Sequence, residues 1–242
     1  MALIDLANPT RFLALTRPVV PWLWGAVLAL FAAALWLALQ APPDYQQGET
    51  YKIMYLHVPA AWLSMACYGM MSISALGTLV WRHPLADVAQ KAAAPIGAAL
   101  AFLTLATGVL WGRPTWGTWW IWDARLTSML ILFIMYLGLM AVWQAVEDPG
   151  RAARAVAVLT LVGSINIPVI KFSVDWWNSI HQGESIFRAT GPTIAGSMLW
   201  PLLLSTLGAT IMLAALLLMA MEAEILRRRV RSLRLAFAGN AG

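Results

Sequence analysis

Charge is what this sequence has least of. Only 11% of its 242 residues are Asp, Glu, Lys or Arg, against about 25% in an ordinary soluble domain. Hydrophobic residues make up 61%, and the mean hydropathy is +0.72. A water-wrapped globular enzyme is thereby excluded, and the composition predicts a polytopic membrane protein. Cysteine is nearly absent too. The single Cys67 lies in an apolar run, which excludes a disulfide framework, a CxxC redox pair and a cysteine-built zinc cluster, and leaves a small buried hydrophobe. There is no GxxxxGK[ST] sequence for binding nucleotide phosphates, and the apolar runs carry no series of acids of the kind a proton-driven transporter uses. The net charge is +5. Once the apolar runs are removed, no basic patch with interleaved aromatics remains, so nucleic acid is not an expected partner and the cations are better read as topology signals.

What is present is a set of long apolar runs. A bilayer-spanning helix needs about 20 such residues, and the chain offers them near 19–40, 57–81, 92–111, 126–146, 155–174 and 195–221. These predict an all-α membrane protein with six transmembrane helices, the last long enough to tilt or project, in a single domain over 1–242. The first run, at about 20 residues, is longer than a signal peptide's 7–15-residue core and is expected to stay as a span.

An even number of spans puts both termini on one side. The N-terminal segment, second and fourth loops and C-terminal tail hold eleven Lys and Arg, whereas the first, third and fifth loops hold five: Lys52, Arg113, Arg125, Lys171 and Arg188. Cytoplasmic termini follow. The RRRVRSLR tail reads as a topology anchor that could also meet anionic lipid or a cytosolic partner. Pro168 is expected to kink the fifth span, and Lys171 to snorkel from its outer end.

The outer loops carry the unusual residues. Trp111, Trp116, Trp119, Trp120 and Trp122 crowd the third loop, about 112–125, and Trp176 and Trp177 open the fifth. Trp111, Trp176 and Trp177 could be ordinary interface-belt residues, but one loop does not need four more anchors. Gly112, Pro114 and Gly117 read as turn residues, and Asp123 as the N-cap of the fourth span. Of the three histidines, His83 falls on the cytoplasmic side, while His57 and His181 fall on the outer side and can share a site. A lone interfacial histidine is usually an amphipathic surface residue. Two imidazoles without thiolates make a poor closed zinc site, but they can supply two axial positions to a metal whose equatorial positions a macrocycle already fills. Haem, flat, largely apolar and anionic at its propionates, matches such donors with indole walls and with Arg113, Arg125 and Arg188 as cations. Imidazoles must be unprotonated to bind iron, so retention is expected to weaken as pH falls through about 6.5. A permease moving haem or another solute, and a scaffold whose tryptophans dock a partner without ligating haem, remain competing readings.

The stretches WGTWWIWDARLTS, MYLHVPAAW and HQGESIFRATGPTIAGSMLWPLL together resemble haem exporter protein C, the C component of the bacterial cytochrome c maturation apparatus, within the group named for its tryptophan-rich "WWD" loop. The likeness covers essentially the whole chain. It implies a haem-binding, haem-delivering subunit of the bacterial inner membrane without ATPase activity of its own. Transiently held haem b would have His57 and His181 as axial ligands. The platform would be Trp111, Trp116, Trp119, Trp120, Trp122 and Asp123, with Arg125, Arg113 and Arg188 for propionate or chaperone contact. The implied partners are a periplasmic haem chaperone, which bonds a haem vinyl group through a histidine, a cytosolic ATPase subunit, a second multi-span subunit and a small single-span subunit in an ABC-type complex.

Overall fold

The computed structural model describes residues 7–181, 183, 185–186 and 188–239, and these are almost wholly helical. A short helix α1 (Pro9–Thr16) starts where the Asn8 side chain accepts the Thr10 backbone N–H at 2.9 Å and Pro9 takes the first helical position, both favourable at a helix start. Helix α2 (Val20–Gln40) follows. A tight turn at Asp44–Gly48 and a short 3-10 helix (Glu49–Ile53) then lead into α3 (Met54–Leu79). After α4 (Ala86–Trp116) comes α5 (Ala124–Ala145), then α6 (Pro149–Gly163), α7 (Asn166–Trp176) and α8 (Gly196–Gly239). Six helical segments are long and apolar enough to cross a membrane, with α6 and α7 forming one of them.

Helices α3 and α4 form the centre, with α5, α6 and α8 packed around them and α2 against α8. Small residues make this possible. Ala93, Ala94, Gly97, Ala98 and Ala101 of α4 are buried, and in lipid, where apolar side chains gain nothing by leaving their solvent, close backbone approach is a main source of helix association. Tyr136 of α5 lies on Gly97 and donates its hydroxyl to the Ser64 carbonyl of α3 at 2.7 Å. Tyr68 meets the Tyr136 ring edge-on, with centroids 5.3 Å apart. Cys67 is buried in the same cluster, its thiol 3.5 Å from the Ala93 carbonyl, as expected of a small hydrophobe. Exposed Leu28, Leu35, Ile73, Phe102 and Val162 face outward, as lipid-facing positions should.

Three boundaries differ from the sequence expectation. Helix α4 runs on to Trp116, with Pro114 inside its last turns, so the third loop shrinks to 117–123, and Gly112 and Pro114 are helical residues instead of turn residues. A proline forbids only its own N–H bond, which a helix end tolerates where the freed carbonyl reaches solvent. Gly117 alone keeps the turn role, at φ +76°. The fifth span breaks at Ser164–Ile165. Pro168 cannot donate to the carbonyl four residues back, and the Ile167 N–H takes the Ser164 carbonyl instead at 3.1 Å, so the expected kink becomes a break a turn before the proline. Helix α8 continues through the arginine-rich tail to Gly239. At 1.5 Å per residue it is about 66 Å long, twice the ~30 Å hydrocarbon core.

At the end of the bundle bearing both termini, Glu224 of α8 is buried and accepts from Lys91 at 2.8 Å, Arg227 at 2.7 Å and Arg228 at 3.0 Å. Arg228 also reaches Asp87 at 2.7 Å. This joint ties α4 to α8. No composition-level argument marks it, because its members lie more than 130 residues apart.

Candidate functional site

The C-terminal half of α4 organises the opposite end. Thr107, Gly108, Trp111, Gly112 and Trp116 recur at three- and four-residue spacing and so share a face. The first turn of α3 places His57 against this face: its Nδ1 is 3.0 Å from the Thr107 hydroxyl, and its ring meets Trp111 edge-on at 5.7 Å between centroids. A Cβ on Gly108 would stand 3.1 Å from His57 Cε1, so glycine is what lets the ring approach. One turn on, Gly112 gives the Trp116 indole room to lie back along the helix, the direction helical side chains naturally take. His181, arriving from the segment after α7, meets Trp116 at 5.0 Å between centroids. Because the Trp116 indole folds back over Gly112, one turn from Gly108, the two imidazoles attach to neighbouring turns of one helix face.

His181 has a carboxylate behind it. Asp123 caps α5 as expected, accepting the Arg125 and Leu126 backbone N–H groups at 2.9 and 3.4 Å, and its other oxygen accepts the Ile180 N–H at 3.2 Å. One oxygen also lies 3.2 Å from His181 Nδ1. That approach is off the line of a hydrogen bond, and Nδ1 has no other partner, so the contact is one of charge at short range. Burial alone would raise the Asp123 pKa. Hydrogen bonds from Ser179 and the Arg125 backbone, with His181 and the Ile180 N–H, outweigh it and hold the carboxyl below its usual range. Burial also lowers His181; Asp123 pulls it back up, Arg125 pushes it down, and the net shift is downward. At neutral pH the pair is a carboxylate beside a neutral imidazole.

A recess along this face of α4 has a lining that includes Gly108, Gly112, Trp116, Trp119, Trp120 and Ile180; Gly108 lies under His57, and Trp116 meets His181. Trp119 and Trp122 are 55% and 75% exposed, and Trp120 meets Trp122 edge-on at 5.6 Å. Trp111 is held further in, its indole N–H donated to Gln47 of the first loop at 2.8 Å. Trp176 stacks on Phe172 and touches Trp177, on the outside of α7; nothing joins these two to the recess.

The arginines divide. Arg113 donates to the Gly117 carbonyl at 2.6 Å and stands 5.9 Å over the Trp119 ring, steadying the loop. Arg125 reaches across to α7, donating to Ser173 Oγ and the Lys171 carbonyl, each at 3.2 Å. Arg188 is exposed. His83 lies at the other end, in a turn where it accepts the Leu85 N–H at 3.3 Å.

Sequence reasoning missed Thr107, Gly108 and the Asp123–His181 contact. The spacing Gly108-x3-Gly112-x3-Trp116 is a visible signal for Gly108, since glycines four apart in a span mark close approach. No spacing signals a contact between residues 58 apart.

Among the described residues no three His, Cys, Asp or Glu side chains gather to hold a bare metal ion. The donor set is two imidazoles with flat apolar walls, which suits a metal already held by a planar macrocycle. The chain is 64% identical to Heme exporter protein C of Bradyrhizobium diazoefficiens, with 100% of this chain and 94% of the relative covered. It is 43% identical to the protein of that name from Paracoccus denitrificans, over 96% and 97% of the two chains. It is 44% identical to that of Escherichia coli strain K12, over 92% and 90%. With residues 2–236 also matching the family described as Heme exporter protein C, the chain belongs to that family.

Proposed function

We propose that this protein is a single membrane domain that holds haem at the periplasmic face of the bacterial inner membrane. It presents that haem to a periplasmic haem chaperone for cytochrome c biogenesis. The observation that carries the reading is the placing of His57 and His181 on neighbouring turns of one glycine-floored face of α4, with indoles around it. Haem, taken as b-type cargo, supplies iron with two open axial positions; His57 and His181 fill them. Trp116, Trp119 and Trp120 give flat apolar contact. Arg188, exposed in the segment after α7, is available to a propionate, and Arg113 and Arg125 hold the loop and α7 in position. Trp119 and Trp122, exposed on the tryptophan loop, are where a chaperone would approach.

Orientation follows from the Lys and Arg bias, which places the terminal end in the cytoplasm. There the protein would join a cytosolic ATPase subunit, a second multi-span subunit and a small single-span subunit in an ABC-type complex, since its own chain carries no nucleotide-binding sequence. A route for haem through this chain is disfavoured by the bundle centre, where Tyr68, Met71, Leu132 and Tyr136 fill the space between α3, α4 and α5.

The test is optical. The protein purified in detergent from haem-replete cells should carry low-spin haem, and His57→Ala or His181→Ala should each convert or abolish that spectrum. Haem that is absent, or indifferent to loss of both imidazoles, removes the ligand assignment and favours a scaffold that docks the chaperone.

A further inference from the structure

The two histidines are held by different chemistry, and the difference is legible in one hydroxyl. Thr107 Oγ1 lies 2.6 Å from the Leu103 carbonyl and 3.0 Å from His57 Nδ1. A threonine hydroxyl has one proton and two lone pairs. At 2.6 Å the carbonyl must receive that proton, because two oxygen acceptors facing each other at that distance would repel. The Thr104 carbonyl, at 3.2 Å, competes for the same proton from the same side. Only lone pairs remain toward His57, so its Nδ1 carries the hydrogen, with the Thr104 carbonyl as a second acceptor beside the hydroxyl, and Nε2 is left as the bare donor. The tautomer follows from hydrogen-bond accounting on α4, and Gly108 beneath Cε1 fixes the ring's depth.

His181 faces a carboxylate in the same position. Asp123 Oδ1 stands 3.2 Å from its Nδ1, off the line of a hydrogen bond; a full negative charge at that range favours the proton on Nδ1 by charge alone and makes Nε2 the more basic donor, whereas an already-donating hydroxyl does this weakly.

We propose that Thr107 is a positioning residue that sets His57 as an Nε2 donor, and that its neutral character makes His57 the weaker of two unequal axial ligands, the one that leaves the iron first when haem is passed on. This rests on the haem reading above. It adds an order to the hand-over: iron stays on His181, beside the tryptophan loop, while the His57 side opens to an incoming ligand. The exchange at iron transfers no electron: the Fe–N bond to His57 breaks as a nitrogen or oxygen donor of the incoming chaperone takes its place, separately from any bond the chaperone makes to a haem vinyl group.

The test compares wild type with Thr107→Val, Thr107→Ser, His57→Ala and His181→Ala, all as full chains in detergent and screened for monodispersity. The readouts are the spin state of ferric haem and the rate of haem loss to excess apomyoglobin. Thr107→Val keeps the shape but removes the hydroxyl acceptor. It should raise the five-coordinate, high-spin fraction and speed haem loss about tenfold, the low end of what losing an outer-shell partner costs, while Thr107→Ser stays near wild type. His57→Ala should keep five-coordinate haem on His181, and His181→Ala should lose haem faster than His57→Ala. A Thr107→Val protein with the wild-type spectrum and loss rate overturns the role of Thr107. Faster loss from His57→Ala than from His181→Ala overturns the order of release. Either result leaves the haem reading intact, because that reading fails only if wild type holds no histidine-ligated haem.

Discussion

At the scale of single residues, the site is a set of groups kept neutral or charged by what surrounds them. His181 has its protonation pushed below the ordinary histidine range, first by burial, with Asp123 pulling back only part of the shift. Unfolded, the same side chain takes up a proton near pH 6.5. The folded form resists until lower pH, so its contribution to stability is complete above about 6.5 and is lost as pH falls from there toward the depressed folded value. Competition between protons and iron should move with it. Haem retention is expected to stay level from pH 8 to 6.5 and to fall only below that, which is lower than the window an unperturbed histidine suggests. A haem-release titration followed at the Soret band checks this, and loss already half complete at pH 6.5 would contradict the burial of His181. That shift could not be read from the sequence, which shows a histidine in a polar loop and gives no sign that Asp123 folds against it.

At the scale of elements, α4 does most of the positioning because of what it lacks in bulk. Its middle is built of Ala93, Ala94, Gly97, Ala98 and Ala101 against α3 and α5, and its end uses Gly108 and Gly112 to receive His57 and Trp116. A methyl group on Gly97 would overlap the ring of Tyr136, which is anchored by its bond to Ser64 and cannot swing away. Gly97→Ala is therefore expected to destabilise the bundle by about 1–3 kcal/mol, the usual cost of overpacking, seen as a lower thermal midpoint in detergent. A midpoint equal to wild type would show that α4 and α5 slide apart at little cost. The six spans were legible in hydropathy, since each buries its backbone polar groups within itself and needs only an apolar exterior. The extension of α4 past Pro114 and the break at Ser164 were not, because both depend on where freed carbonyls find partners in three dimensions.

At the scale of the whole molecule, the chain is clamped at one end by charge and opened at the other by aromatics. Glu224 gathers Lys91, Arg227 and Arg228 at the terminal end. Glu224→Gln would leave those cations facing a neutral amide. A fully buried pair costs about 3–5 kcal/mol to break, and because Lys91 and Arg227 reach water and Arg228 keeps Asp87, a loss of about 2–3 kcal/mol is expected here. Denaturant unfolding measures it, and an unchanged transition would make the cluster a bystander.

The sequence by itself determined the class of molecule, the number of spans, the shared end of the bundle at which His57 and His181 fall and the identity of the aromatic loop. Each of these follows from composition, from charge bias or from residues adjacent in the chain. Only the tertiary structure decided that His57 rests on Thr107 and Gly108, that Asp123 stands behind His181, and that one face of α4 serves both. Those contacts join residues 50 to 58 positions apart, and a hydrogen bond's direction is set by every neighbour competing for the same proton, which no linear spacing records.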